Sequence, residues 1–190
     1  MYEAKNYEHL LGLPGFSDNA LKTHLTLYQG YVTNTNKFLE ILAKEETASP
    51  DFAGFKRRFG WEFNGMRLHE YYFGAMKNSG EQFSAASELR KKIIRDFGSF
   101  ENWEKDFKAT AMMRGIGWAI LYYDRMADKL LNVWVGEHDT GHLAGAAPLL
   151  PLDVFEHAFM LDYGTKRADY IEAFMKVIDW KVVEERFTQP

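Results

Sequence analysis

Two long helical patterns, each with one histidine on its apolar side, constrain the fold of this chain more than any other feature. In the first, at about residues 19 to 44, apolar side chains recur every three or four positions, and His24 lies on their stripe. In the second, at about residues 55 to 76, His69 lies on a stripe of phenylalanines and methionines. The EETASPD segment between them breaks the pattern, and a short connection favours an antiparallel hairpin. We therefore predict that the two histidine-bearing stripes face each other.

The rest of the chain predicts a second lobe with mixed structure. The helical pattern ends near NSGE, so we place an N-terminal helical hairpin lobe at residues 1–80 and a C-terminal lobe at residues 81–190. In the second lobe a helix is predicted at 84–97, and Ser99 can cap another. Three runs of aromatic and aliphatic residues then predict antiparallel strands, at 118–123, 130–135 and 149–154. Helices first and an antiparallel three-stranded sheet later give an α+β fold.

Composition and charge exclude several classes of function. The chain has no cysteine, which excludes disulfides, thiol nucleophiles and iron–sulfur clusters, so any metal must be bound by nitrogen and oxygen. A formal charge of -4 argues against a nucleic-acid partner. No apolar run approaches the roughly 20 residues that cross a bilayer, and the first residues lack a basic-then-apolar signal pattern. We expect a cytoplasmic protein that does not associate with membranes.

The histidines and one aspartate predict a metal site. A buried imidazole without a partner costs about 1 to 3 kcal/mol, so His24 and His69 each need one. Taken singly, each is more often a hydrogen-bonded core residue, but on opposed helices the two can converge on one ion. The segment LDVFEHAF adds Asp153 and His157 after a predicted strand, although an ion-paired surface cluster is the alternative there. Three imidazoles and a carboxylate suit iron or manganese, and the ligand types alone also allow zinc.

Motifs through almost the whole chain resemble one known family. In the C-terminal half these are FGSFENWEKDF, GIGWAIL, and DVFEHAF followed by LDYGTKRADYIEAFMKVIDW. In the N-terminal half, weaker matches are SDNALKTH, YVTNTN and FNGMRLHEYYF. The order and spacing of these segments are similar to those of the iron/manganese superoxide dismutases. The resemblance implies one iron or manganese ion per chain, bound between the lobes, and superoxide as the substrate.

The resemblance also implies site residues. The metal ligands would be His24, His69, Asp153 and His157. Tyr31 would guard substrate access, and Arg167 would lie at the mouth of the substrate funnel, where an ordinary surface charge is the alternative. Trp118 and Trp180 would wall the metal pocket, and an aromatic core is the alternative for both. Glu156 would reach across a two-fold interface to His157 of the partner subunit, so we expect a homodimer.

The chain departs from the family pattern at several positions. Between His24 and Tyr31 it is one residue shorter than usual, so the family's second histidine on that helix is replaced by Tyr28 or Leu27. Gly65 stands where some members carry a glutamine that reaches the solvent bound to the metal. His138, in GEHD, is therefore the candidate for that contact, and His142 is interpreted as a loop residue. Met160 replaces a tyrosine that is common at the family's interface.

These observations leave three hypotheses for function. The first is a superoxide dismutase, in which an iron or manganese ion cycles between two oxidation states. The second is a family member that binds metal without fast dismutation and acts as a binding or structural protein. The third is a metal-free helical interaction domain, which leaves two buried histidines and Asp153 unexplained. Metal analysis together with a superoxide-consumption assay distinguishes them.

Overall fold

A pair of long helices forms the N-terminal half of the chain in a computed structural model, which describes residues 1–78 and 83–189. Helix α1 spans Asp18–Leu42 and helix α2 spans Pro50–Gly74, after a short 3-10 helix at Glu8–Leu10. Ser17 caps α1 and Ser49 caps α2, because each hydroxyl accepts a backbone N–H from three residues further along. These caps fix where the two helices begin.

The two helices run antiparallel, as the sequence predicts. The rings of His24 and His69 lie 5.0 Å apart, between centroids. Further along α1, Tyr31 packs against Gly65, and near its end Phe38 contacts Phe55. In the direction from His24 to Phe38, residue numbers rise along α1 and fall along the neighbouring α2, so the helices are antiparallel. Both histidines are buried, so the prediction that the two stripes face each other is confirmed.

The second half supplies further helices and all of the strands in the described residues. Their bounds are α3 (Glu88–Phe97), α4 (Phe100–Ala111), β1 (Gly117–Asp124), β2 (Lys129–Gly136), β3 (Ala147–Asp153), α5 (Glu156–Tyr163), α6 (Arg167–Lys176) and α7 (Trp180–Thr188). Helix α3 begins four residues later than predicted because Ser87, and not Ser84, caps it. Ser99 caps α4 as predicted. The predicted boundary between residues 80 and 81 lies outside the described residues.

The sheet is antiparallel and three-stranded, in the order β2-β1-β3. Strand β1 is central and is buried from Gly117 to Tyr122. Strand β3 contains two prolines, which an edge strand tolerates because half of its N–H groups pair with no neighbour. Trp118 on β1 pairs with Asp153 at the end of β3. Asp153 therefore lies beside Trp118 at one end of the sheet. An antiparallel three-stranded sheet that follows the N-terminal helices confirms the predicted α+β fold.

Contacts between the helical pair and the sheet bring the two halves together. Helix α2 packs on β3, and α1 packs on α5. The partly buried guanidinium of Arg186, on α7, donates hydrogen bonds to the carbonyl oxygens of Leu149 and Tyr71 and so ties α7 to both β3 and α2. Within the described residues, no helix is both long enough and apolar enough to cross a membrane.

Candidate metal centre

Four donor side chains converge where the helical pair meets the sheet. The donors come from α1 (His24), α2 (His69), the end of β3 (Asp153) and the first turn of α5 (His157). One candidate ligand atom from each lies within 4.8 Å of all the others. The Asp153 Oδ2 atom is 3.1 Å from His24 Nε2, 3.2 Å from His157 Nε2 and 3.5 Å from His69 Nε2. The structure thus brings together the four residues that the sequence proposed as ligands.

The spacing of these atoms fits a single ion. Donors held at about 2.1 Å from one ion, with angles of 90 to 120° between them, lie about 3.0 to 3.6 Å apart. The three distances to Asp153 Oδ2 fall in this range. The described part of the chain offers room for one ion among these atoms, and the donor set of three imidazoles and one carboxylate suits iron or manganese.

The ring of His69 gives the clearest sign that a cation belongs here. Its Nδ1 lies 2.6 Å from the carbonyl oxygen of Gly65, which can only accept, so Nδ1 carries the proton. The buried Nε2 atom has no hydrogen-bond partner and points its lone pair towards Asp153 Oδ2. A lone pair facing a carboxylate oxygen in a buried site is unfavourable without a positive charge between them. A metal ion would satisfy both atoms.

Hydrogen bonds from the protein orient the Asp153 carboxylate. The Oδ1 atom of Asp153 accepts the backbone N–H of Phe155 at 2.9 Å, which leaves Oδ2 directed at the imidazoles. The hydroxyl of Tyr170 donates to the Asp153 carbonyl oxygen at 2.7 Å and fixes the end of β3. Bonds of this kind hold ligands in place before the ion arrives.

The electrostatics of His24, His69 and Asp153 favour the protonation states that bind metals, whereas those of His157 favour the protonated ring. Burial lowers the pKa of His24 and lowers that of His69 further, so both rings are neutral near pH 7. Burial acts to raise the pKa of Asp153, but His157 and His24 outweigh it and hold this pKa well below its usual value. Burial acts to lower the pKa of His157, but the Asp153 carboxylate outweighs it and the net shift is upward. Asp153 is therefore a carboxylate, the one negative charge among the donors.

A second set of side chains, Tyr31, Trp118 and His138, lies beside the donors. The Trp118 indole donates to His138 Nδ1 at 3.0 Å, and His138 Nε2 lies 2.8 Å from the Tyr31 hydroxyl. The Tyr31 ring stacks on His69 with centroids 5.1 Å apart, and the Trp118 ring meets His69 edge-on, also at 5.1 Å. Tyr31 and Trp118 therefore pack against the ring of His69, and His138 is hydrogen-bonded to both of them.

The hydrogen bonds of His138 fix its tautomer. An indole N–H only donates, so His138 Nδ1 is an acceptor. Burial lowers the pKa of His138 from 6.5 to about 4, so the ring is neutral near pH 7 and its proton is on Nε2. That proton is donated to the Tyr31 oxygen. The hydroxyl proton of Tyr31 is consequently free to be donated elsewhere, and burial, which raises the pKa of Tyr31, keeps it attached.

Two further aromatic residues border the site and were not assigned a role from the sequence. Trp61, on α2, meets the His138 ring edge-on at 4.5 Å, and its indole donates to the Glu137 carboxylate. Phe155 stacks between His138 at 4.7 Å and His157 at 5.1 Å. The position of Phe155 within DVFEHAF was a signal that could have identified it. Trp61 lies off the apolar stripe of α2, so periodicity gave no such signal.

The remaining candidates lie further from the donors. Trp180 stacks on Phe83 at 4.0 Å, and within the described residues its ring contacts are with an aromatic cluster of Phe83, Phe100 and Trp103. Arg167 donates to the carbonyl oxygens of Met113 and Gly115. The structure therefore does not bring the Trp180 ring against the donor rings, and it places Arg167 at the start of α6, where its guanidinium bonds the loop between α4 and β1.

The residues at the two replaced family positions differ in burial. Tyr28 is buried four positions after His24, and its hydroxyl donates to Glu70 and accepts the backbone N–H of Lys5. Leu27 is 39% exposed and points away from the core. Tyr28 is therefore the residue that takes the inward position on α1.

Comparison with known proteins assigns the chain to a family. The pattern of the iron/manganese superoxide dismutases, C-terminal domain, matches residues 71–186. A relative named superoxide dismutase [Mn] 2, from Haloferax volcanii, is 38% identical over 186 residues, which are 96% of this chain and 92% of the relative. The chain belongs to the iron/manganese superoxide dismutase family. The family resemblance seen in the sequence motifs is thereby confirmed.

Relatives in this family carry names with either metal. A superoxide dismutase [Fe] from Cupriavidus metallidurans is 38% identical over 181 residues, covering 92% of this chain and 90% of the relative. A superoxide dismutase [Fe] from Aquifex pyrophilus is 34% identical over 194 residues, covering 97% of this chain and 90% of the relative. Similarity to manganese-named and iron-named relatives is nearly equal, so identity does not distinguish the two metals.

Proposed function

We propose that this protein is a superoxide dismutase that uses one iron or manganese ion per chain, held by His24, His69, Asp153 and His157. The observation that carries the proposal is the unprotonated Nε2 of His69, which faces Asp153 Oδ2 across a space that fits one ion. Family membership supplies the reaction. Two donors come from residues 1–80 and two from residues 81–190, which supports a site between two lobes.

The reaction requires an electron carrier and a source of protons. One superoxide gives up an electron and becomes dioxygen, and a second takes up an electron and two protons and becomes hydrogen peroxide. The bound iron or manganese ion would supply the one-electron chemistry. Asp153 contributes the only formal negative charge among the donors and so favours the higher oxidation state of that ion.

Tyr31 and His138 would control proton supply. The Tyr31 hydroxyl proton is not used in the bond to His138, so it can be donated into the space beside the His69 ring. A neutral phenol at that position also avoids an anion that would repel superoxide. His138 Nε2 holds the phenol oxygen in place and can return a proton to it. Both residues thus act on the proton that peroxide formation needs.

Trp118, Trp180 and Arg167 would support the site at different distances. Trp118 packs edge-on against His69 and holds His138 by a hydrogen bond, so it acts as a wall of the pocket. Trp180 would act at one remove, by packing α7 against the aromatic cluster of Phe83, Phe100 and Trp103. Arg167 supplies a positive charge that would attract the superoxide anion, and its guanidinium is held by two carbonyl oxygens.

We also propose that the protein is a symmetric homodimer. Glu156 is exposed and the His157 side chain keeps 21% of its surface open, so a carboxylate of a partner subunit can reach the ring. Met160 and Leu161 nearby are 49% and 55% exposed, which supplies apolar surface for the same contact. Glu156→Ala should weaken dimerisation and activity together, measured by light scattering and turnover. Glu40→Ala, at an exposed position on α1, is the control, and a fully active wild-type monomer would contradict the proposal.

Elemental analysis and a superoxide-consumption assay on the same purified sample test the main proposal. We expect close to one iron or manganese ion per chain and rapid consumption of superoxide. A zinc-only or empty protein, expressed with both metals supplied, would refute the metal assignment. Full metal content without superoxide consumption would favour a metal-binding family member that is not a dismutase.

A further inference from the structure

We propose that His142 is a positioning residue for His138 and that Tyr122 anchors it. This inference rests on the proposed function, because it concerns the residue that holds Tyr31. His142 Nε2 lies 2.9 Å from the His138 carbonyl oxygen, and His142 Nδ1 lies 2.6 Å from the Tyr122 hydroxyl. His142 therefore connects the main chain of His138 to the centre of the sheet.

The direction of both bonds follows from the chemistry of the partners. A carbonyl oxygen only accepts, so His142 Nε2 carries a proton and donates it to His138. In a neutral ring Nδ1 is then an acceptor, and the Tyr122 hydroxyl donates to it. Tyr122 is 2% exposed, and burial raises its pKa to about 12, so it remains a donor at any physiological pH. Both ring nitrogens of His142 thus have a hydrogen-bond partner.

Trp118 and Tyr122 hold His138 from two directions. They are four residues apart on β1, so both side chains lie on the same face of the sheet. Trp118 fixes the His138 ring through Nδ1, and Tyr122 fixes the His138 backbone through His142. The register shift between Leu121 and Tyr122 in the pairing with β3 leaves its extra residue, Leu149, on β3, so the alternation of side chains along β1 stays regular.

The loop that carries His138 needs this support. Residues Gly136 and Thr140 exchange two backbone hydrogen bonds and close a tight turn around it. Glu137 has a φ of 50°, a left-handed conformation that is unfavourable for a residue with a side chain. A strained residue directly before His138 would relax and turn the ring away if the backbone were not held. His142 donates a hydrogen bond to the carbonyl oxygen of His138, the residue directly after Glu137, and so holds the backbone at that point.

The test compares His142→Leu and Tyr122→Phe with a control, Tyr123→Phe. Tyr123 neighbours Tyr122 on β1, but its hydroxyl bonds Asp128 on the other side of the sheet. In zinc-loaded protein, which is diamagnetic, nitrogen-15 NMR of the imidazoles reports the tautomer and environment of His138. We expect the His138 signals to shift or broaden in His142→Leu and in Tyr122→Phe, and to stay unchanged in Tyr123→Phe.

Turnover of the iron-loaded or manganese-loaded variants provides the second measurement. We expect His142→Leu to keep its metal and to lose about 10-fold in kcat, and His142→Gln, which retains an N–H donor, to recover part of the loss. Unchanged His138 signals in both variants, or full turnover in fully metallated His142→Leu, would overturn the inference. If His142→Leu does not fold, Tyr122→Phe and His142→Gln still decide it. If the wild type consumes no superoxide, the proposed function fails, whereas the NMR comparison still tests the link from His142 to His138.

Discussion

Replacing Gly65 with alanine would test how closely Tyr31 is held in the site. A Cβ atom at this position would lie 2.6 Å from Tyr31 Cδ1 and 2.8 Å from Cε1. Carbon atoms in contact are separated by about 3.5 to 4.0 Å, so the Tyr31 ring must move by about 1 Å. The ring is stacked on His69 and borders Trp61, which leaves it little room to do so.

This displacement would disrupt the hydrogen bond between Tyr31 and His138. The bond is 2.8 Å long, and a shift of about 1 Å along it exceeds the limit of about 3.2 Å for a good hydrogen bond. We expect kcat to fall by about 10-fold or more. The Gly65 carbonyl, which orients His69, is part of the backbone and remains, so the metal should stay bound. Overpacking costs about 1 to 3 kcal/mol, and alanine in a helix returns about 0.5 to 1 kcal/mol.

Gly60→Ala on the same helix is the matched control. A Cβ atom at Gly60 meets nothing within 4 Å, so this variant should gain about 0.5 to 1 kcal/mol of stability and keep full activity. Denaturant unfolding, metal analysis and a superoxide assay on both variants compare the two sites. If Gly65→Ala is as stable and as active as Gly60→Ala, the close packing of Tyr31 on Gly65 is not part of the working site.

Replacing Asp153 with alanine removes the one carboxylate among the donors, so elemental analysis should find no retained iron or manganese, and full occupancy would refute the ligand assignment. His138→Ala should keep the ion but lower turnover by about 10-fold or more and shift the midpoint potential. If turnover in the assay and the potential in a redox titration are both unchanged, a residue other than His138 controls proton supply at the ion. Burial lowers the pKa of His138 from 6.5 to about 4, so its neutral form stabilises the fold above pH 6.5, and that contribution is lost as the pH falls towards 4. Over this window the unfolding free energy of metal-free wild type should therefore fall more steeply than that of His138→Gln, and equal slopes would argue against a buried neutral imidazole.

The fold could be predicted from the sequence wherever a buried face leaves a periodic pattern. The apolar stripes of α1 and α2 and the runs that form β1 and β2 are of this kind, and their bounds differ from the prediction by few residues. The start of α2 is an exception. Its first turns, from Pro50 to Arg58, are mostly exposed, so they carry no apolar stripe, and the sequence pattern predicts only a break across EETASPD. The Ser49 cap and Pro50 were the only signals for these turns.

The candidate site could be predicted only in part, for a similar reason. His24 and His69 interrupt apolar stripes, and Asp153 and His157 lie in one short motif, so each leaves a local trace in the sequence. Trp61 does not, because its partner Glu137 is 76 residues away and the contact exists only after α2 and the loop following β2 meet. The link between Tyr122 and His142 is also invisible to periodicity, since a tyrosine in a buried strand is ordinary core.

Three features of the site, Tyr31, Gly65 and His138, form one arrangement in this structure. Tyr31 follows His24 by seven residues, which is close to two helical turns, so both lie on the same stripe of α1. That register presses the Tyr31 ring against α2 so closely that no Cβ fits at position 65. A side chain at position 65 therefore cannot supply a polar group to the centre, and the partner of Tyr31 must come from elsewhere. His138 reaches the phenol from the loop after β2, and Trp118 and Phe155 pack around its ring. The shortened spacing in α1, the glycine in α2 and the histidine in the loop thus depend on one another physically, and changing any one of them alone should disturb the other two.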